Sequence, residues 1–167
     1  DETLFVTVAE LAEAELLVED SVKEAIAASK HNVHAFAKQS MRQDWSYTNA
    51  EGAEVGERFV PYSRVGVYVP GGKAPLVSTA LMTAAIGQAV GVSDIIAATP
   101  AGADGKVNPS LLYALKESGA TQIIKIVNLM NGLVGHDLIE ERGWCVPINL
   151  FENQKPVVEP AAQKQRE

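Results

Sequence analysis

A loop rich in glycine and proline follows a short apolar run in the middle of the chain, and its residue types suit anion binding. Glycine has no Cβ and proline fixes φ, so such a loop lets backbone approach a bound group closely. Ser78 or Thr79 is predicted to cap the next helix, whose unpaired N–H groups favour a phosphate or carboxylate. A tight turn without a ligand is the competing interpretation of this spacing. The candidate binding residues of this stretch are Pro70, Gly71, Gly72, Lys73 and Ser78.

Three further groups of reactive side chains also have simpler competing roles. His31 and His34 lie three residues apart on a predicted helix and could face one metal, but two ligands do not complete a site. His136 beside Asp137 could act as a general base, although no nucleophile stands at a matching spacing, which favours a surface pair. The single Cys145 excludes an intramolecular disulfide and favours a buried structural thiol. The sequence therefore predicts no metal site and no catalytic residue.

The elements that must position the loop alternate between strand and helix. This alternation predicts an α/β fold with a Rossmann-like parallel sheet and flanking helices, because right-handed crossovers return each strand beside its neighbour. Asn108 as N-cap, Pro109 at the first helical position and Gly119 beyond the end delimit one of the helices. The predicted strands cover residues 65–69, 94–99 and 122–127, and the predicted helices cover 78–90 and 109–117.

The N-terminal part of the sequence is predicted to form an amphipathic helical arm and a β-hairpin. Thr7 with Glu10, and Ser21 with Glu24, have the capping-box spacing at two predicted helix starts. The second helix carries an apolar stripe at helical spacing, which should lie against the domain. That stripe consists of Val22, Ile26, Val33 and Phe36, widened by Ala25 and Ala37.

The hairpin is predicted from strands near 45–48 and 54–60 around a turn at 49–52. Its aromatic residues Trp45, Tyr47 and Phe59 are expected to cluster across the strands and to pack in the core. We divide the chain into an arm and hairpin (1–60), a Rossmann-like domain (61–151) and a solvated tail (152–167). In the C-terminal part of the Rossmann-like domain, residues 129–141 are predicted to form a helix and residues 144–151 are predicted to form an edge strand.

The central segment also resembles the histidinol dehydrogenase family. The resemblance lies in residues 65–82, 89–100 and 105–116, and extends over about 4–125. Its most specific part reads Val65-Gly66-Val67-Tyr68-Val69-Pro70-Gly71-Gly72-Lys73-Ala74-Pro75-Leu76-Val77-Ser78-Thr79. The resemblance implies an enzyme that uses NAD and zinc to oxidise histidinol to histidine in histidine biosynthesis. It also implies that Tyr68 occupies a cofactor-contacting position.

The sequence departs from the family in ways that affect the expected cofactors. Family members are more than twice as long, and their zinc ligands, catalytic glutamate and histidine base lie in sequence that this chain does not contain. Where the family has a Gly-Gly-Ala-Gln-Ala turn, this chain has Val127-Asn128-Leu129-Met130-Asn131. Bulky side chains would hold a dinucleotide away from the backbone there. NAD is therefore the family expectation, and zinc is not predicted for this chain.

The composition of the chain restricts the kinds of partner that we expect it to bind. The chain has 167 residues and a net charge of −7, so nucleic acid is not expected as a partner, because phosphate backbones require clustered Lys and Arg. No apolar run is long enough to span a membrane, and no signal peptide is evident, so a cytoplasmic location is expected. Three functions remain open: a partial histidinol dehydrogenase without activity of its own, a binding module for a small anion or nucleotide, and a homo-oligomerising domain, as in a dimer.

Overall fold

The fold places a small parallel sheet beneath a layer of helices. The computed structural model describes residues 4–70 and 75–126. Strands β3 (Arg64–Tyr68), β4 (Asp94–Pro100) and β5 (Gln122–Ile126) form a parallel sheet in the order β3-β4-β5. This confirms the predicted α/β class, and each observed strand lies within one residue of its predicted bounds.

The register of the strands separates the two faces of the sheet. Val67 pairs with Ala97, and Ala97 pairs with Ile123, so these three side chains share one face. This face, which we call the helix face, also carries Thr99 and contributes to the buried core cluster. Ile96, although also buried, points to the opposite face.

Residues Leu4–Val6 cover the outer edge of β5. The Val6 N–H donates to the Ile123 carbonyl at 2.9 Å, and the Lys125 N–H donates to the Leu4 carbonyl at 2.7 Å. These bonds satisfy backbone groups of an edge strand that would otherwise be free to pair with another chain.

In the part of the chain that the structure describes, five helical segments pack on the helix face or on one another. They are α1 (Val8–Leu17), α2 (Asp20–Ser40), α3 (Val77–Ala80), α4 (Ile86–Ala89) and α5 (Pro109–Glu117), with a π-helical turn (Leu81–Ala85) joining α3 to α4. Segments α3 to α4 run without a break over 77–89, where the sequence predicts one helix at 78–90. Gly87 in α4 lies so close to the sheet that a Cβ there would stand 3.3 Å from the Ile95 Cδ1.

Some of the predicted helix caps are present in the structure and others are not. Thr7 and Glu10 form the predicted capping box of α1, and Asn108 accepts from two backbone N–H groups at the start of α5. The prediction for Ser21 was wrong, because α2 begins at Asp20 with Glu19 as its N-cap and without a side-chain cap. The capping prediction for Ser78 or Thr79 was also wrong: Leu76 is the N-cap and both residues lie inside the helix.

The amphipathic arm lies against the domain as expected. On α2, Ile26 and Ala37 are buried, whereas Phe36 of the predicted stripe is 75% exposed. The helix also contacts the π-helical turn and α4. Its apolar stripe is therefore mainly an intramolecular packing surface.

The predicted hairpin is present, but its aromatic residues do not pack in the core. Strands β1 (Trp45–Thr48) and β2 (Glu54–Glu57) pair antiparallel. Trp45 and Tyr47 stack with ring centroids 6.2 Å apart, yet they are 49% and 57% exposed. Phe59 lies under the Arg42 guanidinium, 5.8 Å from its ring centroid. The prediction of core packing was therefore wrong. Side chains alternate between the two faces of a strand, so Trp45 and Tyr47 lie on the same face of this two-stranded hairpin, and that face is exposed.

Several predictions fall outside the described residues. They concern the helix at 129–141, the strand at 144–151, the tail from 152, the replaced family turn at 127–131, and the side chains His136, Asp137 and Cys145. The proposed division at residues 60 and 151 also stays a prediction. Within 4–70 and 75–126, no helix is both long and apolar enough to cross a bilayer.

Candidate functional site

A cavity of about 880 Å³ lies at the carboxyl edge of the sheet. Thr99 and Pro100 at the end of β4 and Ile126 at the end of β5 line it from below. Helix α1, the start of α5 and the connection between β4 and α5 form its other walls. Open α/β sheets bind ligands at this edge, and the volume lies within the range of small-molecule sites.

Thr99 is the buried polar residue of this cavity. Its exposure is 0%, and its hydroxyl has no hydrogen-bond partner within the described part of the chain. A strand alternation that brings Ile95 and Ala97 into the core carries Thr99 onto the same face, but two residues nearer the edge. A buried hydroxyl without a partner is unfavourable.

Carboxylates line the cavity wall formed by α1 and by the turn after β4. Glu10 accepts from Lys125 Nζ at 2.6 Å and from the Thr7 N–H at 2.8 Å. The hydrogen bond from Lys125 is the main reason that the pKa of Glu10 lies below its ordinary value, and the Thr7 backbone adds to the shift. Glu13 accepts from Lys106 Nζ at 3.2 Å. Glu10 is thus fully engaged, whereas Glu13 retains accepting capacity.

Asp104 supplies the third carboxylate from a turn that glycines shape. The Gly102 N–H donates to the Lys106 carbonyl at 2.8 Å, and Gly105 adopts φ +75°. The Asp104 Oδ1 accepts from the Lys106 N–H at 3.1 Å. No ion pair to Asp104 exists among residues 4–70 and 75–126. Its second oxygen is available to a donor in the cavity.

The start of α5 offers no free N–H to an anion. Asn108 Oδ1 accepts from the Ser110 N–H at 3.0 Å and from the Leu111 N–H at 3.4 Å. Pro109 has no N–H, and the Leu112 N–H donates to the Asn108 carbonyl. The capping that stabilises α5 therefore removes the anion site that an uncapped helix start would provide.

Some of the predicted binding residues line this cavity and others do not. Pro70 lines it, as does Pro75. Tyr68 and Ser78 do not line it; Tyr68 lies on the opposite face of the sheet, and Ser78 is exposed on α3. Gly71, Gly72 and Lys73 fall outside the described residues. Sequence reasoning missed Thr99, whose only signal was a hydroxyl residue at the end of an apolar strand.

A second group of buried polar atoms lies among α2, α4 and the end of α5. His34 Nε2, Gln88 Oε1 and Ser118 Oγ lack partners in the described part of the chain. Burial lowers the pKa of His34, and the nearby charges of Lys30 and Lys38 lower it further. His31 is exposed on the same helix, and nowhere in the described ranges do three His, Cys, Asp or Glu side chains meet as metal ligands would.

The fold and the cavity define an α/β protein with a ligand-sized site at the carboxyl edge of a parallel sheet. A family model described as histidinol dehydrogenase matches residues 1–128. The chain belongs to the histidinol dehydrogenase family.

Individual relatives agree with this assignment. The chain is 37% identical over 125 residues to a histidinol dehydrogenase of Synechococcus sp., which covers 75% of this chain and 29% of that protein. It is 41% identical over 123 residues to the Deinococcus radiodurans histidinol dehydrogenase, covering 74% and 28%. The crystal structure of histidinol dehydrogenase from Elizabethkingia anophelis matches with a TM-score of 0.72 at 30% identity, covering 77% of this chain and 30% of that one. The chain thus spans under a third of its relatives' length.

Proposed function

We propose that this chain forms the nucleotide-binding part of a histidinol dehydrogenase-like protein and that the 167 residues alone do not oxidise histidinol. The cavity at the ends of β4 and β5 carries the proposal, because its place at the sheet edge is where α/β proteins bind nucleotides. The family match supports the choice of NAD over other ligands of similar size.

The lack of turnover is proposed from what the chemistry requires. Oxidation of an alcohol needs a base that removes the hydroxyl proton and a group that fixes the substrate. The resemblance assigns these roles to sequence beyond the stretch that this chain shares with its relatives, which amounts to 29% of the Synechococcus protein. In the described ranges we assign neither role to a side chain.

Calorimetric titration with NAD, AMP and phosphate tests the binding part of the proposal. We expect saturable heat from AMP and NAD, since both contain the nucleotide that we propose for this cavity. Absence of heat from all three compounds would remove the proposed function. A parallel incubation of the pure chain with histidinol, NAD and zinc should yield no more reduced NAD than a control without protein. Reduced NAD above the control would refute the proposed inactivity.

Self-association is a second proposal, favoured by exposed apolar side chains on α2 and the π-helical turn. Phe36 and Met82 are 75% and 65% exposed on two elements that contact each other. Exposed apolar area of this kind is typical of surfaces that pair with another copy or partner. A cytoplasmic homo-oligomer remains the form we expect.

Sedimentation velocity over a wide concentration range tests self-association. We expect a mass above that of the monomer, and Phe36→Glu should shift the distribution toward the monomer because it places a charge in the contact. Gln39→Glu, an equally charged change at an exposed site on the same helix, is the control. A strictly monomeric parent chain would rule the proposal out.

A further inference from the structure

We infer that residues 101–107, which we call the β4–α5 turn, open and close the cavity, and that the ion pair between Lys106 and Glu13 holds this turn closed. The inference concerns how fast a ligand enters and leaves the cavity. Its kinetic part rests on the proposed nucleotide binding, whereas the movement of the turn can be measured without a ligand.

The β4–α5 turn has buried ends and an exposed middle. Thr99, just before the turn, and Val107, at its end, are buried, whereas residues 102–106 are exposed. Every residue from 101 to 107 lines the cavity. A movement of the exposed middle about the two buried ends would therefore change how widely the cavity opens to solvent.

Hydrogen bonds inside the turn hold its middle together as one unit. The Gly102 N–H donates to the Lys106 carbonyl at 2.8 Å, and the Gly105 N–H donates to the Gly102 carbonyl at 2.9 Å. The Asp104 Oδ1 accepts from the Lys106 N–H at 3.1 Å. Because both partners of each bond belong to the turn, the turn can move as a whole without breaking any of them.

The ion pair joins the turn to helix α1 at the solvent end of the cavity. Lys106 Nζ lies 3.2 Å from the Glu13 Oε1, and the two side chains are 63% and 54% exposed. Both residues line the cavity, one from each wall. In the described ranges, no other hydrogen bond links residues 102–106 to another element. Exposed ion pairs are weak and are screened by salt, so this pair permits repeated opening.

Helix α1 itself is held independently of the β4–α5 turn. Glu10 pairs with Lys125 of β5 at 2.6 Å, and both side chains are less exposed than those of the Lys106 pair. Ala14 belongs to the buried core cluster, and Leu11 packs against that cluster. Loss of the pair between Lys106 and Glu13 should therefore release the turn and leave α1 in place.

Relaxation-dispersion NMR of the full 167-residue chain without ligand tests the movement. We expect exchange on the microsecond to millisecond timescale at residues 101–107. Glu13→Gln and Lys106→Gln should each raise the open population about threefold at low salt. At about 1 M salt the parent chain should resemble the two variants, because the pair is screened. Glu15→Gln is the matched control, because it removes the pair of α1 with Lys116, which lies outside the cavity lining.

Stopped-flow measurements with etheno-AMP, a fluorescent form of AMP, test the effect on ligand exchange. Association and dissociation both pass through the open arrangement, so both rates should rise about threefold in Glu13→Gln and in Lys106→Gln, with affinity kept within about twofold. The two variants change the net charge in opposite directions. An effect of charge on the approach of the anion would therefore shift their association rates in opposite directions.

The outcomes distinguish this inference from the proposed function. Absence of exchange at residues 101–107, or an equal effect of Glu15→Gln, overturns the inference whether or not etheno-AMP binds. Exchange that depends on Glu13 and Lys106 without any binding of etheno-AMP supports the moving turn and removes nucleotide binding. Association rates that move in opposite directions in the two variants overturn the inference and leave nucleotide binding in place. A parallel rise of both rates in both variants supports the inference and the proposed function.

Discussion

Burial sets the protonation of His34, which lies on α2 beside the amide of Gln88. Desolvation is the largest cause of its lowered pKa, and the positive charges of Lys30 and Lys38 act in the same direction. Lys30 itself donates to the Glu117 carbonyl at the end of α5. His34 is therefore neutral in the folded state at neutral pH, and charging it would introduce a cation among cations.

The stability of the chain should fall as the pH drops through the ordinary pKa of histidine, 6.5. The folded-state pKa of His34 is lower than the unfolded one, so the unfolded chain binds more protons in this window. The loss should level off below the folded-state pKa of His34. Urea unfolding between about pH 7.5 and about pH 5 measures the free energy of unfolding across this window.

Two variants on α2 test whether His34 causes the pH dependence of stability. His34→Gln should flatten the profile, because it removes the titrating group from the buried position. His31→Gln, at an exposed position three residues earlier, should leave the slope unchanged. If the two variants behave alike, His34 is not the origin of the slope.

At the scale of elements, sequence predicted the regular parts well and the junctions poorly. Helix α5 runs over Pro109–Glu117 as predicted, because cap, proline and glycine all agree on its limits. The π-helical turn at Leu81–Ala85 was not predicted, since its apolar spacing is that of an ordinary helix. There the Thr83 hydroxyl donates to the Thr79 carbonyl at 2.7 Å, which provides a local backbone partner.

The candidate site was predicted less completely than the fold. The glycine–proline loop was predicted to bind a ligand, and Pro70 at its start lines the cavity. Thr99 and Asp104 could not be placed from sequence, because their convergence depends on strand register and on how α1 crosses the end of the sheet. Long-range positions of this kind leave no local periodicity to detect.

The end of α5 depends on Gly119, which adopts φ +83°. A Cβ there would lie 2.6 Å from Gln88 Nε2, so Gly119→Ala combines backbone strain with a clash. We expect it to lower the free energy of unfolding by about 1–3 kcal/mol in urea titrations. Gly105→Ala is the matched control, because its φ is +75° and nothing lies within 4 Å of the added Cβ. Equal losses for the two variants would mean that the Gln88 contact is unimportant.

Helix α1 is attached to β5 by the pair between Glu10 and Lys125, whose side chains are 25% and 14% exposed. Glu10→Gln weakens this pair and the capping box at once, and we expect a loss of about 1–2 kcal/mol in the free energy of unfolding. Glu15→Gln removes a more exposed partner, the 2.6 Å pair with Lys116, and should lower the free energy of unfolding by less than Glu10→Gln does. Chemical denaturation of both variants compares them, and an equal or larger loss for Glu15→Gln would contradict this view of α1.

At the scale of the whole molecule, the chain retains a sheet edge suited to ligand binding within a family whose members are much longer. The relative from Synechococcus sp. shares 29% of its length with this chain. The helical arm, the sheet and the cavity form one packed assembly in which α1 both covers α5 and lines the site. Ligand binding at the cavity should therefore stabilise the attachment of α1 as well as the sheet.

Backbone amide NMR during titration with AMP tests the central claim most directly. We predict that the largest shifts occur at 10–17 and 99–108, which together line the cavity, with little change in the hairpin at 45–57. Shifts confined to the hairpin or to the amino-terminal ends of the strands, or no shifts at saturating AMP, would contradict the assignment of this edge as the nucleotide site.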